Sequence, residues 1–285
     1  EIGFEGEMIE ILDSLPHIKK KILTSATQEF KVPAFVGLNN PGRINYLHEA
    51  VQKLEIKKIV VGNDLLEGLA DSLKAIGNKP GIIFCNYKDT IAGISEFITS
   101  KDISHGLFYG GLEQIDRERA LIKFRNGTHQ LLLATDLAAR GIDVPEIKFI
   151  IHYELPYKEK EFTHRNGRTA RMNAEGTAYV LTRKGAKLPD YMPELEDANL
   201  AGGKDLKPSE WTTLYITGGK KDKISKGDIA GLFMKQAGLE PYEVGHIEIK
   251  LDSTFVSVHK TQLSKAIAKT NNTRVKKKKV RVSEA

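Results

Sequence analysis

Between residues 82 and 182, apolar runs of strand length alternate with stretches whose apolar residues recur every three or four positions. "GIIFC" reads as a buried strand, and residues 89–100 as a helix. "SHGLFYG" predicts a second strand and residues 113–126 an amphipathic helix. "QLLLAT" and "IKFIIHYE" predict a third and a fourth strand, a short helix begins near Glu159, and "TAYVLT" closes as a fifth strand. Continuous apolar strands separated by helices predict a parallel sheet covered on both faces. Ligands of such sheets bind beyond the C-terminal ends of the strands. The polar clusters "YGG" and "TDLAARGID" fall at those ends.

The pattern changes twice. Residues 1–45 hold one helix-like stretch, one strand ending in "LTSAT" and the Pro/Gly-bounded "NNPGR", too little chain to bury a core of its own. They read as the tail of a domain whose body lies upstream. Residues 46–184 hold the α/β pattern, and 185–207 break into Gly, Pro and charge, a linker. Residues 208–285 follow a second plan: "TTLYIT" a strand, 227–237 a helix, "GHIEIKL" and "TFVSV" strands, 260–269 a helix, "KKVRV" a last strand. That order, β-α-β-β-α-β, is the α+β ferredoxin-like plan shared by RNA-recognition (RRM-like) modules.

Composition narrows the class. The chain has 285 residues, 28% charged and 40% hydrophobic, enough for two domains with cores. No apolar run could span a bilayer, and the N-terminus lacks the plan of a signal peptide. The single cysteine, Cys85, excludes an internal disulfide and a cysteine-based zinc site, which fits a reducing cytoplasm. The net charge of +6 gathers at the end, where Lys269, Arg274, Lys276, Lys277, Lys278, Lys279 and Arg281 face only Glu284. Such an end suits a polyanion, nucleic acid first, or is a solvated tail.

Two stretches carry chemistry. In "TDLAARGID", Thr135 and Asp136 end a buried strand, Gly141 lets a ligand approach the backbone, and Asp143 offers a carboxylate to sugar hydroxyls. "HRNGRTARM" (164–172) packs His164, Arg165, Gly167, Arg168 and Arg171 into nine residues with neither helical nor strand patterning. Arg168 and Arg171 are three apart, so one turn of helix would set both on one face, matched to a phosphate chain.

With these residues the chain resembles the DEAD-box RNA helicases over essentially its whole length. "SAT" at 25–27 is similar to their third motif, "IIFCN" to motif IV, Gln114 and Arg117 to Gln-x-x-Arg, "TDLAARGID" to motif V and "HRNGRTAR" to motif VI. The resemblance implies a second RecA-like domain at 46–184 and a remnant of the first at 1–45. It makes Arg168 and Arg171 fingers on the ATP γ-phosphate. His164 would bridge to the first domain, Gly141 and Asp143 would bind ATP, and Ser25 and Thr27 would couple the domains. Gln114, Arg117, Thr135 and Arg140 would touch RNA. Ala170 departs from the usual Gly, and Tyr87 stands where a Thr commonly contacts RNA. Ala170 with "GGLEQIDRE" points to the bacterial DEAD-box protein A type, whose C-terminal domain recognises a structured large-subunit ribosomal RNA hairpin.

In the C-terminal domain, Tyr215 and Phe255 occupy aromatic places of an RNA-binding strand pair or are core residues. Lys220, Lys221 and Lys223 supply phosphate contacts, and Trp211 reads as packing. No G-x-x-x-x-G-K-[ST] and no Asp-Glu-Ala-Asp occur, so "GGK" at 218–220 is not a phosphate loop. The expectation is the C-terminal portion of a cytoplasmic ATP-dependent RNA helicase acting on ribosome precursors. The whole enzyme would use ATP and Mg²⁺, with none bound by this chain alone, no protein metal site and no membrane partner. The alternatives are a non-catalytic RNA-binding protein that retains the scaffold and a related DNA helicase.

Overall fold

The computed structural model describes residues 5–24, 32–38, 40–45, 54–136, 147–169, 175–200 and 206–285. The chain divides into two units, 1–51 and 52–285. The first carries α1 (Glu5–Asp13) and a 3-10 turn at Ala34–Val36. Val36 is its one buried hydrophobic side chain among the described residues. The strand expected to end in "LTSAT" does not form at residues 20–24. A strand needs a hydrogen-bonded neighbour, and none is present among the described residues of this unit. Ser25 and Thr27 lie outside the described residues.

The second unit begins with β1 (Leu54–Val61), α2 (Leu65–Ile76), β2 (Gly81–Phe84), α3 (Lys88–Ser100), β3 (Gly106–Phe108) and α4 (Gln114–Arg125). It continues with β4 (Leu131–Ala134), β5 (Phe149–His152), α5 (Glu159–Asn166), β6 (Gly176–Arg183) and β7 (Glu196–Asp197). The seven strands pair in parallel in the order β3-β4-β2-β5-β6-β1-β7. Strands β2, β4 and β5 are buried at every position, because both faces are covered. Ile83, Leu133 and Ile151 meet Leu73 of α2 and Ile91, Ile94 and Ile98 of α3. Ile82, Leu132 and Ile150 meet Phe108 and Phe124 on the other side. The five expected strands and their helices are present. The pattern between 82 and 182 gave no warning of β1, whose apolar run is broken by Lys57 and Lys58, nor of α2, begun by the Asp64 carboxylate accepting from Leu66 N and Glu67 N at 2.9 and 3.2 Å.

Part of the stretch read as linker lies on this sheet. β7 pairs with β1, Ala198 N donates to Lys58 O at 2.7 Å, and Leu195 is buried beside Phe162 and Val180.

The C-terminal domain holds β8 (Trp211–Thr217), α6 (Lys226–Gly231) extended by a π turn at Leu232–Gln236, β9 (Val244–Ile249) and β10 (Ser253–His259). It ends with α7 (Leu263–Thr270), β11 (Arg274–Val275), β12 (Lys278–Lys279) and β13 (Val282–Glu284). The antiparallel order β13-β8-β10-β9 is the ferredoxin-like sheet. "KKVRV" is not one strand: its first two lysines pair with Arg274 and Val275 in a hairpin, and the sheet's last strand starts at Val282. Leu214, Ile216, Val256 and Val258 pack under the helices on Ile229, Phe233 and Ala266.

The opposite face of this sheet, which carries Thr213 and Glu248, meets α4 and the turn after it. Arg125 Nε and Nη2 donate to the Glu248 carboxylate at 3.0 and 2.8 Å, and Lys250 pairs with Glu118 at 2.5 Å. Thr213 Oγ1 accepts from Asn126 Nδ2 at 3.2 Å and bonds Thr128 Oγ1 at 2.6 Å.

Candidate functional site

The sheet order decides what gathers at the strand C-termini. Neighbouring ends belong to β3, β4, β2 and β5. The segments that leave them carry Gln114 at the start of α4, Thr135, Asn86 and Glu154. One side chain from "HRNGRTARM" ties three of these ends together. Arg165, 2% exposed, sends Nε and Nη2 to the two Asp136 oxygens, both at 2.6 Å. Its Nη1 donates to Glu154 O at 2.6 Å, and Nη2 also donates to Asn86 Oδ1 at 2.7 Å. Its guanidinium lies 5.2 Å from the Phe84 ring centroid. Glu154 fastens the same loops again, accepting from Asn86 N at 2.6 Å and Thr90 Oγ1 at 2.9 Å. One of the three arginines in this short stretch, Arg165, therefore serves the scaffold. Arg165 was visible as part of a spacing, but its partners were not. The available signal was a polar residue, Asn86, Asp136 or Glu154, two places beyond each fully buried strand.

α5 ends at Asn166, so Arg168 is not on its helical face. Gly167 and Arg168 turn the chain, with Arg168 N donating to Arg165 O at 3.0 Å. Thr169 Oγ1 anchors the turn on Ile147 O at 2.6 Å. His164 is half-buried in the last turn of α5. Below it, buried His152 bonds Asn166 Oδ1 through Nε2 at 2.9 Å, and burial lowers its pKa to about 3. Arg140, Gly141, Asp143 and Arg171 lie outside the described residues. Burial pushes the Cys85 thiol up and leaves it inert. Among the described residues no cluster of His, Cys, Asp or Glu could hold a metal ion, and no helix is long and apolar enough to cross a membrane.

Thr135 follows β4, its N–H donating to Phe108 O at 3.3 Å. In α4, Arg117 Nη2 donates to Gln114 Oε1 at 2.8 Å, so the two expected RNA contacts hold one another.

Tyr215 and Phe255 are cross-strand neighbours with centroids 5.4 Å apart at 63°. Phe255 is only 6% exposed. A base could not stack on that ring, because this face of the sheet carries the contact with α4. Trp211 packs edge-on to His259. Lys220 and Lys221 are exposed in a 3-10 turn that Gly219 makes: a Cβ there would stand 2.7 Å from Ser253 N. Lys220 N and Lys221 N donate to Lys250 O and Leu251 O, both at 2.9 Å. Lys223 takes a left-handed backbone, φ 59°, and its carbonyl accepts from Lys276 Nζ. The lysine turn and the β11–β12 hairpin thus form one basic edge.

Residues 63–173 match the helicase conserved C-terminal domain, and residues 213–284 match the DbpA RNA binding domain. The ATP-dependent RNA helicase DbpA of Escherichia coli is 30% identical over 209 residues, 70% of this chain and 46% of the relative. That of Bacillus subtilis is 26% identical over all of this chain and 67% of the relative. The chain thus spans between about half and two thirds of the length of these relatives. A solved structure of S. cerevisiae Dbp5 bound to RNA and ADP BeF3 shares the fold, with TM-score 0.53 and 23% identity over 64% of this chain and 50% of that one. The chain belongs to the DEAD-box RNA helicases, and here the RecA-like sheet is followed by a small antiparallel domain. Its appended domain makes it one of the DbpA type.

Proposed function

We propose that this chain provides the second RecA-like domain, 46–184, and the RNA anchor, 208–285, of a cytoplasmic ATP-dependent helicase that remodels structured ribosomal RNA during large-subunit assembly. The observation that carries the reading is the Arg165 knot. It joins the strand ends expected to meet RNA to the turn bearing Arg168, so a pull on one reaches the other. In the whole enzyme, ATP and Mg²⁺ would be cradled by residues with the phosphate-loop and acidic motifs that this sequence lacks. Arg168 and Arg171 would reach the γ-phosphate, Gly141 and Asp143 would bind the nucleotide, and His164, Ser25 and Thr27 would couple the domains. Gln114, Arg117, Thr135 and Arg140 would hold the RNA backbone. The basic edge at Lys220, Lys221 and Lys223 would hold a hairpin by shape and phosphate contacts, with the aromatic face turned inward. The chain alone would not turn over ATP.

The test is Arg168→Ala in the intact enzyme. A finger acts on transition-state charge, so turnover should fall by about 10³–10⁵ with RNA affinity retained. Unchanged turnover with weakened RNA binding would move Arg168 to the RNA surface.

A further inference from the structure

We infer that Tyr87 and Tyr157 form an aromatic rest for the bases of single-stranded RNA, on the rim where the helicase sheet's strands end. The inference rests on the reading that RNA crosses this rim. Strand order places the ends of β3, β4, β2 and β5 side by side, about 4.8 Å apart in a sheet. The chain leaves them through Gln114 and Arg117, then Thr135, then Tyr87, then Tyr157. The tyrosines continue the row of expected RNA contacts by two more strands.

Both rings are open to solvent, Tyr87 at 54% and Tyr157 at 74% exposure. Their hydroxyls bond each other at 2.5 Å across 70 residues of sequence. One phenol donates to the other, which holds the two rings together while both stay open to solvent. The two loops beneath are fixed before any ligand arrives. Asn86 Nδ2 donates to Leu155 O at 3.0 Å, Asn86 N to the Glu154 carboxylate, and Arg165 grips Asn86 and Glu154 together. Preorganised rings lose little entropy on binding. Each tyrosine is followed by an exposed lysine, Lys88 and Lys158. A ring beside an ammonium suits a base beside its phosphate. Acidic Asp89 and Glu159 come next, in the first turns of α3 and α5, where the helix dipole accommodates them. Stacking of this kind is tolerant of sequence, so the ligand is unstructured RNA rather than one motif.

Ultraviolet cross-linking of the full chain to oligouridine, with peptide mapping, tests the site directly. Adducts on Tyr87 or Tyr157 are expected. Tyr87→Leu with Tyr157→Leu should weaken oligouridine binding about five-fold or more, with the melting curve and hairpin affinity unchanged. Tyr87→Phe with Tyr157→Phe, which keeps the rings, should lose less. Adducts confined to residues 213–284, with oligouridine affinity unchanged in the Leu pair, would overturn the inference and leave the tyrosines as a protein contact. Failure of the unaltered chain to bind any RNA would overturn the RNA reading, and this inference with it.

Discussion

A guanidinium buried like that of Arg165 is unfavourable unless its N–H groups find acceptors, and removing it strands the acceptors as well. Arg165→Ala is therefore expected to cost about 3–5 kcal/mol in urea unfolding of the helicase domain. Arg165→Lys should not restore it, because one ammonium cannot reproduce a fork shared by Asp136, Asn86 and Glu154. Arg168→Ala, three residues on and only half-buried, should cost less than Arg165→Ala. Two arginines of one short stretch are thus separated by stability alone. The histidines give a pH dependence of known sign. Burial lowers His152 to about 3 and His129 to about 4, against about 6.5 in the unfolded chain. The fold holds both neutral, so their stability is full above about pH 6.5 and is lost as pH falls towards those values. Urea unfolding should show roughly 2 kcal/mol less stability at pH 5 than at pH 7 for each histidine. A flat profile over that interval would show that neither is held neutral.

Helix α4 serves two partners at once: its first turn holds Gln114 and Arg117, and its last turn holds Glu248 of the neighbouring sheet. Burial pushes the Glu248 carboxyl up, but its bonds to Lys250 and Arg125 outweigh this and hold it below the usual carboxylate range. Arg125→Glu should destabilise the chain, and adding Glu248→Arg should recover part of the loss. A coupling of about 0.5–3 kcal/mol between the two changes is expected from denaturation of all four proteins. The last strand makes its own prediction. Deleting residues 278–285 removes buried Val280 and Val282 from the core of the small domain, at about 1.5–3 kcal/mol for each side chain. Melting temperature should fall along with RNA affinity; a loss of affinity alone would describe a flexible arm. Strand and helix alternation was legible where both faces of the sheet are apolar. It was silent on β7, only two residues long, and on which body covers Phe255. Periodicity marks a side of an element as apolar without naming its partner.

At the scale of the molecule, the small sheet spends one face on α4, and the basic edge beside it is the proposed route to RNA. The hairpin should outcompete an unstructured strand of equal length for residues 208–285. Lys220→Ala with Lys221→Ala should weaken binding and flatten its salt dependence by about one unit for each phosphate no longer held. Equal binding of both RNAs at every salt concentration would reduce this edge to a general electrostatic anchor. The motif spacings made the family legible, since they mark backbone positions at strand ends. The Arg165 knot was not legible, because its partners come from three distant loops. The order in which the chain is made adds one consequence. β13 pairs with β8, Val282 opposite Ile216, whereas among the described residues the parallel sheet has its last strand by Asp197. During synthesis the helicase sheet can close early, while β8 keeps a bare edge until residues 282–284 emerge. Such an edge invites pairing with other chains, so an interrupted translation releases a folded parallel sheet with an adhesive, unfinished small domain.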